Sequence, residues 1–481
     1  MKTALMSVTL KNGLAEFAKE LLRLNFHIMA TGRTATYLKE HDISVTDVSD
    51  YTGFPEILDG RVKTLHPKIY GGILARPGQD EAVLAQHDIK FIDLVVVNLY
   101  QFKESNTIEN IDIGGPTLLR AAAKNYEHVT AVVDYKDYPD IIQQLKTSGA
   151  TSLDYRKKLA FKVFMHTANY DRDIAQFFYG TTELRYGENP HQKAVFYRNG
   201  FPELLQGKAL SYNNLVDTDA ALQCVLEFPQ NMPACAIIKH ATPCGAALGT
   251  NLLEAYQKAL LCDPQSAFGG IIAFNTLLDA KTAEFIINKQ FVEVILAPEI
   301  SESAKAILNT KPNCRVFAYG AGNGYVEKTL RSIAGGVLFQ DNDTLSAYNL
   351  SELKTVTDKK PTEQQYADLL FAQSVVKHVK SNAIVYAKNQ QTLGIGAGQT
   401  SRVFSAKIAI LKSEEAGLSL KGSVMASDAF FPFPDSIEIA AKAGITAIIQ
   451  PGGSKNDQAI IDAANQLGLS MLFTGIRHFK H

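Results

Sequence analysis

The first 150 residues alternate between short apolar runs and longer segments in which apolar residues recur every three or four positions. Short apolar runs bounded by polar residues predict buried strands, and the longer periodicity predicts amphipathic helices. The strand-like runs span 4–8, 27–31, 93–100 and 129–134, and the helical patterns span 13–24, a segment from Thr34, and 116–125. This alternation is typical of an α/β fold with a parallel sheet between helices, so we expect ligands at the strand ends.

The same pattern suggests where domains divide. A long helical pattern at 154–178 is followed by a polar break, which places a boundary near Gly180 and predicts domains 1–180 and 181–481. The second part is too long for one simple domain, so we expect two subdomains divided near Asp358, where charge and proline cluster. The sequence shows no convincing internal repeat.

Composition restricts the class of protein. Of 481 residues, 46% are hydrophobic and 20% charged, and the net charge of -1 provides no general attraction to nucleic acid or acidic membranes. No apolar run reaches the roughly 20 residues of a membrane span, and the N-terminal run is too short for a signal peptide. The five cysteines lack CxxC spacing, which argues against a metal cluster or disulfide framework and favours the cytoplasm.

The most informative segment is AIIKHATPCG at 236–245, where a predicted buried strand ends in Lys239 and His240. An imidazole can accept a proton near neutral pH, and a neighbouring ammonium can polarise a substrate oxygen. We expect Pro243 and Gly245 to fix the turn that follows. The alternative for a lone histidine is an ordinary polar strand end.

Two other interpretations fail on their motifs. A zinc deaminase needs a second thiol where Ala247 stands and a preceding His-x-Glu, so we expect no catalytic zinc. A dinucleotide fingerprint at 394–399 would need glycine where Gln399 stands, so no nicotinamide cofactor follows.

Three segments of the first part suggest a phosphorylated ligand. Thr31, Gly32 and Thr34 lie between a strand and a helix, where backbone amides and hydroxyls can hold phosphate oxygens. Residues 59–68 concentrate basic side chains, and residues 110–125 combine Asp112 with a Gly-Gly-Pro helix start. Each alone is consistent with ordinary caps or a solvated loop, but together they predict a site.

These segments belong to a longer ordered set of motifs: RVKTLHP, NLY, NIDIGGPT, AAAKN, LRYGENPHQ, LSYNNLVDTDAAL, KHATPCG, SAFGGIIAFN, SNAIVYAKN, GIGAGQTSR, SDAFFPF and RHFKH. Over nearly the whole chain they resemble the bifunctional family that joins 5-aminoimidazole-4-carboxamide ribotide (AICAR) formyltransferase to inosine monophosphate (IMP) cyclohydrolase. The resemblance implies a methylglyoxal-synthase-like, doubly wound N-terminal cyclohydrolase domain. It also implies a C-terminal transformylase of two cytidine-deaminase-like subdomains without zinc.

For the transformylase, the resemblance implies His240 as the base, Lys239 as its electrostatic partner and Asn382 near the transferred formyl group. It also implies a set of substrate-binding residues: Arg185, Tyr186, Asn214, Gly269, Arg402, Phe430, Arg477 and Phe479. The co-substrate is 10-formyltetrahydrofolate.

For the cyclohydrolase, the implied catalytic residues are Lys63, Tyr100, Asp112 and Lys124, and the implied phosphate site comprises Thr31, Gly32, Thr34, Arg61 and Thr64. Our hypothesis gives Asp112 proton removal, Lys63 or Lys124 the oxyanion, and Tyr100 a hydrogen bond to the intermediate. Leu10, Arg33 and Gln101 depart from the family pattern, so one alternative is an active transformylase whose N-terminal domain binds nucleotide but cyclises poorly. A noncatalytic purine-ribotide binder is the second alternative.

The resemblance further implies small-molecule partners, namely AICAR, formyl-AICAR and folate, with neither nucleic acid nor membrane. It suggests a homodimer and leaves a potassium requirement open.

Overall fold

The computed structural model describes residues 1–100, 102, 107–179, 182–198, 200–320, 328–349 and 353–481. The chain forms two compact units, Met1–Thr181 and Thr182–His481. Gly180, where the sequence placed the domain boundary, and Gln101 lie outside the described residues. No helix among the described residues is long and apolar enough to cross a bilayer.

The first unit alternates strands and helices as its sequence pattern predicts. Its elements are, in chain order, β1 (Lys2–Ser7), α1 (Leu14–Arg23), β2 (Phe26–Ala30), α2 (Gly32–Glu40), β3 (Thr46–Asp47), α3 (Val48–Thr52), α4 (Pro67–Leu74), α5 (Glu81–Gln86), β4 (Leu94–Val97), α6 (Gly114–Lys124), β5 (Thr130–Val132), α7 (Tyr138–Ser148) and α8 (Leu153–Tyr179). The predicted helix at 13–24 is confirmed as α1, and the predicted strand at 93–100 is confirmed as β4, which covers only the first half of its pattern.

The five strands are parallel in the order β3-β2-β1-β4-β5, with apolar clusters on both faces. From β1 the chain adds β2 and β3 on one side of the sheet, and it then adds β4 and β5 on the other side of β1. The order therefore reverses between β1 and β4. A doubly wound sheet opens a crevice at such a point, outside the carboxyl ends of the two strands.

The second unit is built on one 12-stranded sheet. Its elements are β6 (Thr182–Glu183), β7 (Val195–Phe196), β8 (Glu203–Gln206), α9 (Tyr212–Leu226), β9 (Ala234–Lys239), β10 (Thr242–Leu248), α10 (Leu252–Cys262), α11 (Pro264–Ala267), β11 (Ile271–Phe274), α12 (Ala280–Lys289), β12 (Val294–Ala297), α13 (Glu302–Leu308), β13 (Arg315–Ala318), β14 (Lys328–Ile333), β15 (Gly336–Asp341), β16 (Lys354–Thr355), α14 (Glu363–Val376), β17 (Ile384–Lys388), β18 (Gln391–Gly396), α15 (Arg402–Glu415), β19 (Val424–Ser427), α16 (Asp435–Lys442), β20 (Ala447–Gln450), α17 (Asp457–Gln466) and β21 (Ser470–Phe473). The strand order is β16-β21-β20-β19-β17-β18-β10-β9-β11-β12-β13-β8.

This unit contains a topological repeat that we did not detect in the sequence. A helix, an antiparallel hairpin and three parallel strands occur as α9 with β9–β13, and again as α14 with β17–β21. The halves join where β10 pairs antiparallel with β18 at Ala247↔Gln391. Because this central pairing is antiparallel, the two hairpin turns lie at opposite edges of the sheet. The two α/β units, with a duplicated second unit, confirm the expected fold class.

Candidate active sites

In the first unit, candidate residues converge at the crevice between β1 and β4. Ser7 Oγ lies 2.9 Å from Thr31 Oγ1, which joins the carboxyl ends of β1 and β2. The Asn98 side chain, just after β4, accepts from the Thr9 and Leu10 amides and donates to the Leu10 carbonyl. The loop after β1 is therefore held against the neighbouring strands, at the place the topology favours for a ligand.

Lys11 is a site residue that we did not nominate from the sequence. Its ammonium donates to Thr34 Oγ1 at 3.0 Å and to the Val8 carbonyl. Burial, together with the charges of Arg33 and Lys63, lowers the pKa of Lys11 to about 8. Lys11 thus lies against the Thr31–Thr34 loop, within the electrostatic range of Arg33 and Lys63. The signal was available, because Lys11 lies in the loop just after β1, next to Leu10, which departs from the family pattern.

Lys63, Tyr100 and Asp112 come together as the resemblance implied. Lys63 Nζ lies 3.5 Å from the Tyr100 hydroxyl, and Asp112 Oδ1 accepts from the Gly115 amide at 2.7 Å. Burial raises the pKa of Asp112, although hydrogen bonds from the Gly115 and Tyr100 backbones and the Lys63 charge oppose the rise. A carboxylate with a raised pKa is suited to accept a proton near neutral pH.

The start of α6 is packed closely against this cluster. A Cβ on Gly114 would lie 2.8 Å from the Thr64 hydroxyl, and one on Gly115 would lie 2.5 Å from Asp112 Oδ2. Both positions therefore need glycine, which lets the helix N-terminus approach the carboxylate. Thr64 is buried beside it.

Two other predicted residues lie differently. Arg61 is exposed, and its guanidinium forms two hydrogen bonds to the Glu109 carboxylate. Lys124 is the last residue of α6, so at about 1.5 Å per residue it lies roughly 15 Å along the helix axis from Gly114. Within this unit Lys124 therefore lies away from Asp112, whereas the charge of Lys63 acts on Asp112.

In the second unit, the chain turns at His240 itself. Lys239 pairs with Thr242 across a two-residue turn in which His240 and Ala241 have φ of 51° and 54°. This type I′ hairpin turn corrects our expectation for Pro243 and Gly245, which lie inside β10. A Cβ on Gly245 would lie 2.1 Å from the Ala259 carbonyl, so this glycine serves the contact between strand and helix α10.

Lys239 and Gly269 lie next to each other at the start of β11. The Lys239 ammonium donates to the Phe268 carbonyl at 2.8 Å, and the Gly269 amide donates to the Phe291 carbonyl at 2.9 Å. Gly269 has φ of 71°, a conformation that glycine adopts without a steric penalty. The ammonium retains two further protons for a ligand.

Asp217 on α9 is another residue that we did not nominate. Its Oδ1 accepts from the Ala241 amide at 2.7 Å and so holds the turn that carries His240. Burial raises the Asp217 pKa, whereas the Ala241 amide, the His240 charge and the His240 amide lower it. The carboxylate was visible in LVDTD, but its partner lies on another element.

Arg185 and Tyr186 are anchored to the segment before α9. The Arg185 amide donates to the Leu210 carbonyl, and the Tyr212 amide donates to the Tyr186 carbonyl. The Arg185 guanidinium lies 5.1 Å from the Tyr186 ring centroid. Asn214 forms a capping box with Ser211. The side-chain oxygen of Asn214, Oδ1, accepts from the Ser211 amide and stabilises the start of α9.

Asn382 is held from two sides. Its Nδ2 donates to the Gln399 carbonyl at 3.0 Å, and its Oδ1 accepts from Arg402 at 2.8 Å. Arg402 is only 8% exposed and is bound to fully buried Asp428 and to Ser427. The guanidinium is thus neutralised inside the protein and fixes the Asn382 amide, which differs from the substrate-binding role expected for Arg402.

The C-terminal segment is fixed beside Asn382. The Ser381 amide donates to the Lys480 carbonyl, and the Lys480 amide donates to Ser381 Oγ. This pairing places Arg477, whose guanidinium lies 4.3 Å from the Phe479 ring centroid. Phe430 and Phe479 are 38% and 41% exposed.

Strand registers place both groups of candidates at one edge of the sheet. Ala247 is level with Gln391 in the central pairing, so the opposite end of β10, at the His240 turn, is level with the residues after β18. Ile384 pairs with Gly396 and with Ser427, so Asn382 and Asp428 belong to that same edge. Three strand spacings separate β9 from β17, or about 14 Å.

None of the described residues forms a group of three or more His, Cys, Asp or Glu side chains able to hold a metal ion. The five cysteines are all buried thiols. Cys244 follows the His240 turn on β10, and Ala247 lies further along the same strand.

Two family profiles match this chain. A family profile described as "AICARFT/IMPCHase bienzyme" matches residues 122–412, and one described as "MGS-like domain" matches residues 13–117. A solved structure described as "Crystal structure of ForH" is 36% identical and covers 37% of this chain and 98% of its own, with a TM-score of 0.35. That TM-score is too low to support a conclusion about the fold.

Proposed function

Since the chain belongs to the AICARFT/IMPCHase bienzyme family, which carries out the last two steps of IMP synthesis, we propose how its two units divide the reactions. The protein is a formyltransferase that converts AICAR to formyl-AICAR and a cyclohydrolase that closes formyl-AICAR to IMP. We assign formyl transfer to Thr182–His481 and ring closure to Met1–Thr181. The formyl donor in this proposal is 10-formyltetrahydrofolate.

The observation that carries the transformylase assignment is the turn that presents His240 beside the Lys239 ammonium, at the sheet edge where Asn382 also lies. The AICAR amine is a weak nucleophile because its lone pair is delocalised into the ring. As its nitrogen bonds to the formyl carbon, His240 takes the amine proton and a tetrahedral oxyanion forms. The bond from that carbon to folate N10 then breaks, and N10 is protonated.

The other residues at this edge stabilise the oxyanion and hold the ribotide. Lys239 has protons left after its bond to Phe268, and Asn382 Nδ2 has one left after its bond to Gln399. Preorganised donors aimed at the developing charge are an effective way to lower such a barrier. Arg402 fixes the Asn382 amide, while Arg185, Tyr186, Gly269 and Arg477 contact the nucleotide.

In the cyclohydrolase unit, ring closure needs positioning and proton transfer only. The carboxamide nitrogen bonds to the formyl carbon, Asp112 takes the nitrogen proton, and Lys63 with Tyr100 stabilises the resulting oxyanion. That proton returns to the oxygen to give a hydroxyl. The C–O bond then breaks as the former 5-amino nitrogen loses its proton, and this second proton leaves with the hydroxyl as water. Thr31, Gly32, Thr34, Thr64 and Lys11 hold the phosphate. The Lys63–Tyr100–Asp112 cluster supports a catalytic first unit.

We further propose a cytoplasmic homodimer. The β14–β15 hairpin supports self-association, because it pairs only with itself among the described strands and both of its strands are exposed. Leu330 and Phe339 pair across it and are 66% and 67% exposed. An isolated two-stranded hairpin with an apolar face is marginal in water, so a second copy would stabilise it. The five buried thiols support a reducing compartment.

The proposal is tested by following formyl transfer and IMP formation separately in His240→Ala. We expect loss of formyl transfer of at least about 100-fold, the usual contribution of a general base, with cyclisation of supplied formyl-AICAR unchanged. Asn389→Ala, at the matching turn of the second repeat, is the control and should retain formyl transfer. Formyl transfer by His240→Ala at the wild-type rate would refute the assignment.

A further inference from the structure

The repeat in the second unit extends to individual contacts around the two hairpin turns. Lys239 ends β9 and donates to the Phe268 carbonyl, and Lys388 ends β17 and donates to the Lys421 carbonyl, both at 2.8 Å. Each lysine precedes a two-residue turn with positive φ, at His240–Ala241 and at Asn389–Gln390. The two hairpins therefore have the same local structure and lie at opposite edges of the sheet.

The helices that support these turns also correspond. Ser211 caps α9 and Thr362 caps α14, each with a capping box, and each is followed six residues later by an aspartate, Asp217 or Asp368. Asp217 accepts from the Ala241 amide at 2.7 Å. Asp368 accepts from the Asn389 and Gln390 amides at 3.0 and 2.7 Å. One carboxylate thus holds each turn.

The two turns make the same backbone demand but carry different side chains. His240 and Asn389, the first residues of the two turns, both belong to residue types enriched at positive φ. Ala241 and Gln390 follow them, and each costs roughly 1–2 kcal/mol in this region, so both turns need a carboxylate that holds them. Only the first turn carries an imidazole.

The surroundings of the carboxylates differ as well. Asp368 also accepts from the Gln364 side chain, but the matching residue in the first repeat, Asn213, donates instead to the Glu188 carbonyl. Asp217 instead interacts with the turn: it accepts hydrogen bonds from the His240 and Ala241 amides and interacts electrostatically with the His240 side chain.

We propose that Asp217 is a positioning residue for formyl transfer: it fixes the left-handed backbone that aims the His240 imidazole and supplies the negative charge that stabilises this imidazole once it has taken the amine proton. The inference rests on the proposed role of His240. Asp368 also fixes a left-handed turn, but that turn carries no imidazole. Asp368 therefore provides a control within the same chain.

The test compares Asp217→Asn with Asp368→Asn in the full-length protein, measuring melting temperature, kcat and KM for AICAR. Both carboxylates support a hairpin, so we expect both variants to lower the melting temperature. Only Asp217→Asn should lower kcat, by about 10- to 100-fold as expected for a misplaced catalytic group, with KM changed less than threefold. Equal kcat in the two variants would overturn the proposal, as would a change in KM alone.

A second variant removes the backbone cost in case Asp217→Asn folds poorly. Adding Ala241→Gly supplies a residue that adopts positive φ freely, so the double variant should regain melting temperature while kcat stays low. Recovery of kcat to the wild-type value would contradict a positioning role. If His240→Ala itself retains formyl transfer, the proposed function has failed; if it loses transfer while Asp217→Asn does not, only this inference has failed.

Discussion

Lys11 gives a quantitative test of the phosphate site in the first unit. Its pKa is lowered to about 8 by burial and by the charges of Arg33 and Lys63, so its ammonium loses a proton within the range of an ordinary assay. A ribotide phosphate is fully dianionic above pH 7, since its second pKa is about 6. If binding requires the ammonium, the apparent Kd should rise with pH through this range.

The size of the effect follows from the fraction protonated. About nine-tenths of Lys11 is charged at pH 7 and about one-tenth at pH 9, so the Kd for formyl-AICAR should increase about tenfold, or about 1.4 kcal/mol. The pH dependence of folding stability has the opposite sign: a higher pH weakens ligand binding but favours the folded state. Unfolded lysine titrates near 10.4, so the unfolded chain binds more protons between pH 8 and 10.4, and the free energy of unfolding rises with pH there.

The assay is titration of formyl-AICAR binding by calorimetry in Asp112→Asn protein, in which ring closure should be slowed, at half-unit steps from pH 7 to 9. Lys11→Arg keeps its charge and should remove the pH dependence, whereas Lys11→Met should bind weakly at every pH. Arg33→Ala removes one repulsive charge and should move the rise in Kd to higher pH. A Lys11→Arg protein with the wild-type slope would refute the assignment.

Two further predictions address the other cluster and the strand packing. Asp112→Asn should lower the rate of cyclisation at least about 100-fold and remove the acidic limb of its pH profile, while formyl transfer is unchanged; an unaltered profile would exclude Asp112 as the base. Gly245→Ala should lower the free energy of unfolding by about 3 kcal/mol in urea, because its Cβ would lie 2.1 Å from the Ala259 carbonyl. The control is Gly336→Ala, whose nearest neighbour would lie at 3.8 Å; equal stability of the two variants would contradict the packing argument.

The sequence by itself determined the elements and much of the chemistry. Periodicity predicted α1, β4 and the long helix α8. Each of them buries one face or both faces, and the spacing of apolar residues along the sequence reflects that burial. The apolar run before Lys239 predicted a buried strand ending in a cation and an imidazole. Ordered motifs identified the family, since such motifs preserve side chains that the reaction needs.

Only the tertiary structure decided which groups act on one another. The partners of Asp217 and Arg402 lie 24 and 26 positions away in the chain, and Asn98 reaches back 88 positions to Leu10. Such pairings depend on the order of strands in a sheet, which no local pattern specifies. The repeat in the second unit is likewise visible in the contacts of its elements rather than in the sequence.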